Sequence, residues 1–288
     1  MNKDNNDTPK IIIRNIKKTF ERKGKKSKEE EFLAIDNVNL DIYNGEFLVI
    51  LGPSGCGKST LLDIIGGLST PSKGEIKIND KIIEGPGLDR GIVFQQYALL
   101  PWRNALHNVT FPLESHLDKR ESEKISKKYL SLVGLSGFED RYPNELSGGM
   151  KQRVAIARAL AIDPEILLMD EPFAAVDAQT RSILQEDLLK ITENNKKTVI
   201  FITHSIDEAI FLADKVAIMT ARPGTIKEIV NIPISRQHRF KTDFKSSSDF
   251  ARLRHKIWEL LKEEVIKSQE IKENNLEFET SIEKGGGI

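Results

Sequence analysis

The sequence predicts an α/β fold built on a mainly parallel sheet, and three observations carry that expectation. Short apolar runs at residues 46–51, 91–94, 166–170 and 198–203 alternate with segments of helical period, the pattern of strand–helix–strand units. The interiors of these runs are continuously apolar, as strands buried on both faces are. The first of them passes straight into a glycine-rich turn and then a helical segment, so the turn falls at the end of a buried strand.

Taken in order, residues 1–9 are polar and read as a flexible N-terminus, and residues 11–13 begin a β run. Residues 23–31, lysines followed by three glutamates, read as a solvated loop. Residues 38–42 alternate apolar and polar as a half-buried strand does. Residues 59–67 read as a helix and residues 74–78 as a further short strand. From residue 104 to about 135 the pattern becomes helical and more polar, which implies an inserted helical lobe. Helices are expected at 147–162 and 180–194, flanking the strand at 166–170. Phe250, Leu253, Ile257, Leu260 and Leu261 have helical spacing and are expected to pack on the rest of the chain. Past about residue 268 that periodicity fades, and a disordered tail is expected. Four segments result: 1–9, an α/β unit at 10–235 with its helical lobe at about 97–150, a helical extension at 236–267, and a tail at 268–288.

Composition narrows the function classes. The 288 residues are enough to bury a sizeable core. Their 43 basic and 43 acidic side chains cancel, which argues against binding nucleic acid through bulk positive charge. No apolar run approaches the roughly 18 residues that span a bilayer, and no leader pattern opens the sequence, so a soluble cytoplasmic protein is expected. The single cysteine, Cys56, excludes an intrachain disulfide framework and a multi-cysteine metal site.

Gly52-Pro53-Ser54-Gly55-Cys56-Gly57-Lys58-Ser59 matches the phosphate-binding pattern G-x-x-x-x-G-K-S/T in its required strand–loop–helix context. The glycines let backbone N–H groups face phosphates beside the positive end of the following helix. Lys58 is expected at the β- and γ-phosphates and the Ser59 hydroxyl on magnesium. Thr60 offers a further hydroxyl, and Cys56 reads as a small filler. The apolar run 166–170 ends in Asp170 and Glu171, at the strand end where such sheets bind ligands. Asp170 is the candidate for holding Mg2+, and Glu171 for orienting or deprotonating an attacking water. His204 follows the next buried strand and can hydrogen-bond a γ-phosphate or water. His204 and Glu208 also share helical metal-ligand spacing, but two ligands alone make a poor site.

With Leu146-Ser147-Gly148-Gly149-Met150-Lys151-Gln152-Arg153 added, the chain resembles the nucleotide-binding subunits of ABC transporters. Phosphate loop, Gln95, signature, acidic strand, Ala175-Val176-Asp177 and His204 follow in family order over residues 10 to about 225. Met150, Val176 and Ala174 depart from commoner residues without removing a phosphate contact. The resemblance implies a P-loop NTPase core with a mainly parallel sheet, an antiparallel β lobe and an inserted helical signature lobe. It implies ATP and Mg2+ as cofactors and a homodimer or cassette heterodimer. Each nucleotide would lie between one subunit's phosphate loop and its partner's Ser147, Gly148, Gly149 and Asp177. Phe20 resembles the aromatic that stacks on adenine, with Phe32 as a rival, and Gln95 the glutamine that touches magnesium and water.

The segment from Gly85 to Gln95, residues 99–103, residues 221–224 and residues 250–261 are similar to importers for nitrate, sulfonates and taurine. That narrower resemblance implies an ATPase peripheral to the cytoplasmic face of the cell membrane. It would contact integral membrane permease subunits through the loop after Gln95, where Tyr97, Leu99, Leu100 and Trp102 offer apolar anchors. A periplasmic or lipid-anchored solute-binding protein would act on it indirectly, and no nucleic acid is involved. The alternatives are a soluble ABC ATPase in cluster assembly or nucleic-acid handling, and the ATPase of an exporter.

Overall fold

The structure, a computed structural model, describes residues 8–23, 29–241 and 243–285. Strands β1 (Ile11–Lys23) and β2 (Glu29–Ile42) form a long antiparallel pair, and β3 (Phe47–Leu51) leads into helix α1 (Lys58–Ile65). Strands β4 (Lys73–Ile78), β5 (Lys81–Ile82) and β6 (Arg90–Val93) follow. Helices α2 (Ala105–Thr110), α3 (Lys119–Leu132) and α4 (Gly148–Ala161) make the helical lobe. The chain continues through β7 (Ile166–Asp170), α5 (Ala178–Asn194), β8 (Thr198–Thr203), α6 (Ile206–Leu212), β9 (Lys215–Met219) and β10 (Ile226–Asn231). A short α7 (Arg236–Arg239) precedes the long α8 (Ser248–Gly285).

Two sheets result. One is antiparallel, in the order β2-β1-β4-β5; the other runs β10-β9-β3-β8-β7-β6 and is parallel except for β10. Every residue of β3 and β8 is buried, which explains their continuous apolar sequence. Period-2 alternation sorts their side chains to opposite faces. Phe47, Val49, Leu51, Val199 and Phe201 join the larger cluster under the helices. Leu48, Ile50, Ile200 and Ile202 join a second cluster with Ile11, Ile13 and Ile35 of the antiparallel sheet and Leu61 of α1. Each such side chain contributes about 1.5–3 kcal/mol on burial.

Two packing details position the site. Phe173 stacks obliquely on Phe201, ring centroids 5.6 Å apart, and pins the turn after β7 to the core. Asn108, fully buried in α2, accepts from Leu100 N and donates to the carbonyls of Leu100, Arg103 and Asn104. Those bonds satisfy the loop backbone of residues 100–104 where no ladder can.

The elements differ from expectation at three places. The charged block at 23–31 is partly strand: the β1–β2 ladder continues until Lys23 faces Glu29, and residues 24–28 lie outside the described residues. A ladder with a water-facing side tolerates charge, so a charge run alone does not end a strand. Strands β9 and β10 went unread, although the run Lys215–Met219 has the apolar density of a buried strand. Helix α8 continues past residue 268 to Gly285. No proline or glycine interrupts 248–284, and losing an apolar stripe does not remove helix propensity. The flexible N-terminus expected at 1–9 falls mostly outside the described residues. Among the described residues, no helix is long and apolar enough to cross a membrane.

Candidate active site

Strand β3 ends at Leu51, and the chain turns through residues 52–57 into α1, at the carboxyl edge of the parallel strands. Gly57, with φ +102°, precedes the helix; a Cβ there would lie 3.0 Å from Ile35 Cγ1 and 3.1 Å from Ala34 O. Only glycine meets both the left-handed backbone and the close approach of β2. The first N–H groups of α1 have no intrahelical partners and make the turn an anion cradle. Lys58 is buried, and its Nζ donates to the carbonyls of Gly52 (2.8 Å) and Pro53 (2.9 Å). Burial pushes the Cys56 thiol up, which suits a filler better than a reactive thiolate.

Ser54, Gly55, Gly57, Lys58, Ser59 and Thr60 line a cleft of about 350 Å3 with Phe20, Phe32, Ala34, Gln95, Glu171 and Arg222, at the small end of ligand pockets. Phe20 and Phe32 face each other across the β1–β2 ladder. Both aromatics therefore stand at the cleft, and either can meet a flat base.

The acidic pair divides by environment. Asp170 Oδ1 is buried without a hydrogen-bond partner. Burial raises its pKa and the Glu171 and Asp63 charges add to that, against the Ser59 hydroxyl and Lys58. A carboxylate oxygen in that position is short of positive charge. An oxygen donor set of Asp170 and Ser59 fits Mg2+, which takes one or two protein oxygens and completes its shell with phosphates and water. Among the described residues, no group of three or more His, Cys, Asp or Glu could hold a metal unaided.

Glu171 adopts φ +42°, and its N–H donates to Ile202 O of β8 at 3.1 Å. A left-handed glutamate is uncommon and directs attention to its side chain. Glu171 Oε2 lies 3.3 Å from Gln95 Nε2 and 3.3 Å from His204 Nδ1. The topology explains the convergence. Gln95 follows β6, Glu171 follows β7 and His204 follows β8, and these strands are neighbours in the sheet. Glu208 has another occupation: it is buried, accepts from Gln185 Nε2 at 3.0 Å and bonds the Thr203 hydroxyl, so the His204–Glu208 spacing builds no metal site.

Ser147 caps α4, its Oγ accepting from Met150 N, and Gly148 and Gly149 open that helix. Asp177 caps α5 and accepts from Thr180 N; this hydrogen bond holds its carboxyl below the ordinary value. None of these four residues lines the phosphate-loop cleft. A Cβ at Gly149 would lie 2.6 Å from Thr180 Cγ2, so the two helix starts pack closely.

The loop after Gln95 is less exposed than expected. Tyr97 and Leu99 pack against the main core, while Trp102 is 71% exposed. Arg158 of α4 draws the loop inward by donating to the carbonyls of Tyr97 and Ala98. Pro101 shares an open groove of about 890 Å3 with Gly137, Asp140, Arg141, Tyr142, Asn144 and Glu145. Sequence reasoning missed that second wall, and missed Arg222 in the cleft; neither belongs to a motif with a chemical rationale.

Residues 35–174 match the family described as ABC transporter. An uncharacterized ABC transporter ATP-binding protein of Methanocaldococcus jannaschii is 55% identical over 260 residues, 90% of this chain and 94% of that protein. The bicarbonate transport ATP-binding protein CmpD of Synechocystis sp. is 48% identical over 81% of this chain and 82% of its own length. The nitrate import ATP-binding protein NrtD of Synechococcus elongatus is 49% identical over 71% and 76%. A dimeric ATP-binding cassette solved in a post-hydrolysis state with ADP and Pi is similar at TM-score 0.69 and 36% identity, covering 78% of this chain and 100% of that one.

Proposed function

This chain belongs to the ABC transporter family as an ATP-binding, ATP-hydrolysing subunit, and on that premise we propose that it energises import of a small anion. The observation that carries the chemistry is the meeting of Gln95 and His204 on Glu171 Oε2 beside the phosphate-loop cleft. A water held there by Gln95 loses its proton to Glu171 as it attacks the γ-phosphate. His204 hydrogen-bonds the γ-phosphate oxygens, and Lys58 with the N–H groups of the loop takes up charge on the β- and γ-phosphates. Ser59, Asp170 and Gln95 would hold a magnesium ion brought with ATP, which would supply positive charge against the phosphates.

Two cassettes sandwich two nucleotides, with Ser147, Gly148, Gly149 and Asp177 acting across the dimer. The position of these residues outside their own chain's cleft supports this, as does the dimeric state of the solved relative. Gly148→Asp tests it. An added Cβ meets Tyr97 Oη at 3.2 Å and Ala175 O at 3.4 Å, a modest local cost, and an acid suits a helix start. The carboxylate would repel a facing γ-phosphate. The variant should bind ATP at wild-type affinity and lose at least about tenfold in turnover, the effect of one unfavourable charge contact. Wild-type turnover would remove the signature from the reaction.

The groove between Pro101 and Tyr142, with Trp102 beside it, receives a permease helix on the cytoplasmic side of the membrane. Aromatic side chains are favoured interface anchors, and truncating one costs about 2 kcal/mol or more. Trp102→Ala with Tyr142→Ala should keep basal ATP hydrolysis and weaken permease association by at least about thirtyfold, the ratio that one such anchor alone is worth. Co-purification from solubilised membranes and pull-down titration measure it. Full association would move the docking surface elsewhere.

The relatives named for bicarbonate and nitrate transport support a small inorganic anion as the cargo. Reconstituted with its permease and binding protein in vesicles, the chain should hydrolyse ATP faster with bicarbonate or nitrate than with a sugar or amino acid. Stimulation by the neutral solutes instead would reject the anion assignment.

A further inference from the structure

Residues 221–224, between β9 and β10, pack directly on the phosphate loop. Gly224 N–H donates to Ala34 O at 2.9 Å and Asp36 N–H donates to Gly224 O at 3.0 Å. A Cβ at Gly224 would lie 2.0 Å from Cys56 O, so the contact is backbone against backbone. Arg222 Nη2 donates to Gly55 O at 3.1 Å, and its guanidinium carbon stands 4.0 Å from the centre of the Phe32 ring. That stacking sets a planar, permanently charged group in the wall of the cleft, next to the aromatic pair.

The loop is fastened at its other side to the C-terminal helix. Glu264 of α8 is 2% exposed. It accepts from Ala221 N at 2.9 Å, Lys227 Nζ at 2.9 Å and Lys267 Nζ at 3.2 Å. Lys227 also donates to Leu260 O at 3.0 Å. Burial alone would raise the Glu264 carboxyl, but the Lys227 and Ala221 hydrogen bonds hold it below its ordinary value. A buried carboxylate stays ionised only where such donors surround it. Here one donor is the backbone of the residue immediately before Arg222. On the same face of α8, Phe250, Leu253, Ile257 and Leu261 sit in the main core, so the helix has a fixed seat from which to hold the loop.

Resting on the reading of this cleft as the ATP site, we propose that Arg222 contacts the bound nucleotide beside Phe20 and Phe32, and that α8 sets nucleotide affinity by positioning Arg222 through Glu264. Arginine carries five N–H donors in a rigid fork, and a nucleotide offers acceptors on its base, ribose and phosphates. Arg222 is a binding residue in this scheme; Glu264 is a positioning residue that never touches ATP.

Calorimetric titration of full-length protein with Mg-ATP tests both parts. Arg222→Ala, at an exposed position, should raise Kd about tenfold, the size of one charge-assisted contact. Glu264→Ala should raise it to a similar degree, although the residue lines no part of the cleft. The double variant should bind no more weakly than Arg222→Ala alone, because the second change acts only through the first. A merely structural role for Glu264 would lower the melting temperature and add its loss to that of Arg222→Ala. Glu264→Asp, which keeps the charge but falls short of the Ala221 amide, covers the case in which Glu264→Ala does not fold; it should weaken ATP in the same non-additive way. Unchanged Kd in Arg222→Ala overturns the nucleotide contact, and additive losses overturn the positioning. A folded wild-type chain that binds no ATP would instead sink the reading of the cleft itself.

Discussion

Glu171→Gln is expected to abolish steady-state ATP hydrolysis, by about 10²–10⁴-fold for loss of a general base, while leaving ATP affinity intact. The substitution keeps the shape of the side chain and an oxygen for Gln95 Nε2, now 3.3 Å away. It leaves untouched the Glu171 N–H bond to Ile202 O that anchors the turn. What it removes is the negative charge that accepts the proton. A second consequence favours binding. The Glu171 charge helps to raise the Asp170 pKa, so neutralising it makes Asp170 easier to ionise. The proposed magnesium ligand is therefore strengthened when the base is lost. ATP should then persist between two cassettes, and size-exclusion chromatography should find a dimer with ATP and a monomer with ADP. Turnover above a tenth of wild type would mean that the base is another group. An ATP-independent monomer with hydrolysis abolished would keep the base and reject the sandwich.

The parts of this site that were legible in the sequence are those fixed by backbone chemistry. A phosphate cradle needs glycines where φ is positive or a neighbour approaches, so Gly57 is written into the loop. A strand buried on both faces must be apolar to its end, so Asp170 and Glu171 stand out against the run before them. What the sequence did not reveal was supplied from distant segments. The second wall of the groove beside Pro101 comes from residues 137–145, and Arg222 reaches the cleft from a loop between two strands that went unread. Side chains of that kind obey no local spacing rule; tertiary contacts such as the packing of Gly224 on Cys56 O and of Glu264 on Ala221 N decide where Arg222 lies. Exposure was the other weak point. Leu99 has the composition of an interface anchor, but Asn108 and Arg158 hold its loop so that it turns into the core.

Lys58→Ala is expected to remove ATP binding at working concentrations. Two charge-assisted contacts, to the β- and γ-phosphates, are each worth about 1.5–3 kcal/mol, so their loss raises Kd by about a hundredfold or more. The structure adds a complication that the experiment must separate. Lys58 Nζ also donates to the carbonyls of Gly52 and Pro53, both in buried residues. Alanine leaves the Gly52 carbonyl without its donor and the Pro53 carbonyl with the longer bond from Cys56 N–H at 3.4 Å, at about 1–3 kcal/mol for an unsatisfied buried group. The nucleotide-free variant should therefore melt below wild type for a reason unrelated to ATP. Linkage distinguishes the two effects. At an ATP concentration one hundred times the wild-type Kd, binding stabilises the wild type by about 2.7 kcal/mol. With Kd raised a hundredfold the same concentration gives only about 0.4 kcal/mol. The ATP-dependent rise in melting temperature should thus nearly vanish, whatever happens to the nucleotide-free baseline. Lys58→Arg restores the charge but not the fit, because the lysine is only 6% exposed and its Nζ already lies 3.9 Å from Cys56 Sγ. It should fail in the same way, since a planar fork cannot replace a compact ammonium there. A wild-type melting response in Lys58→Ala would detach the loop from the phosphates. A wild-type response in Lys58→Arg alone would show that charge suffices and that the tight seat of Lys58 is incidental.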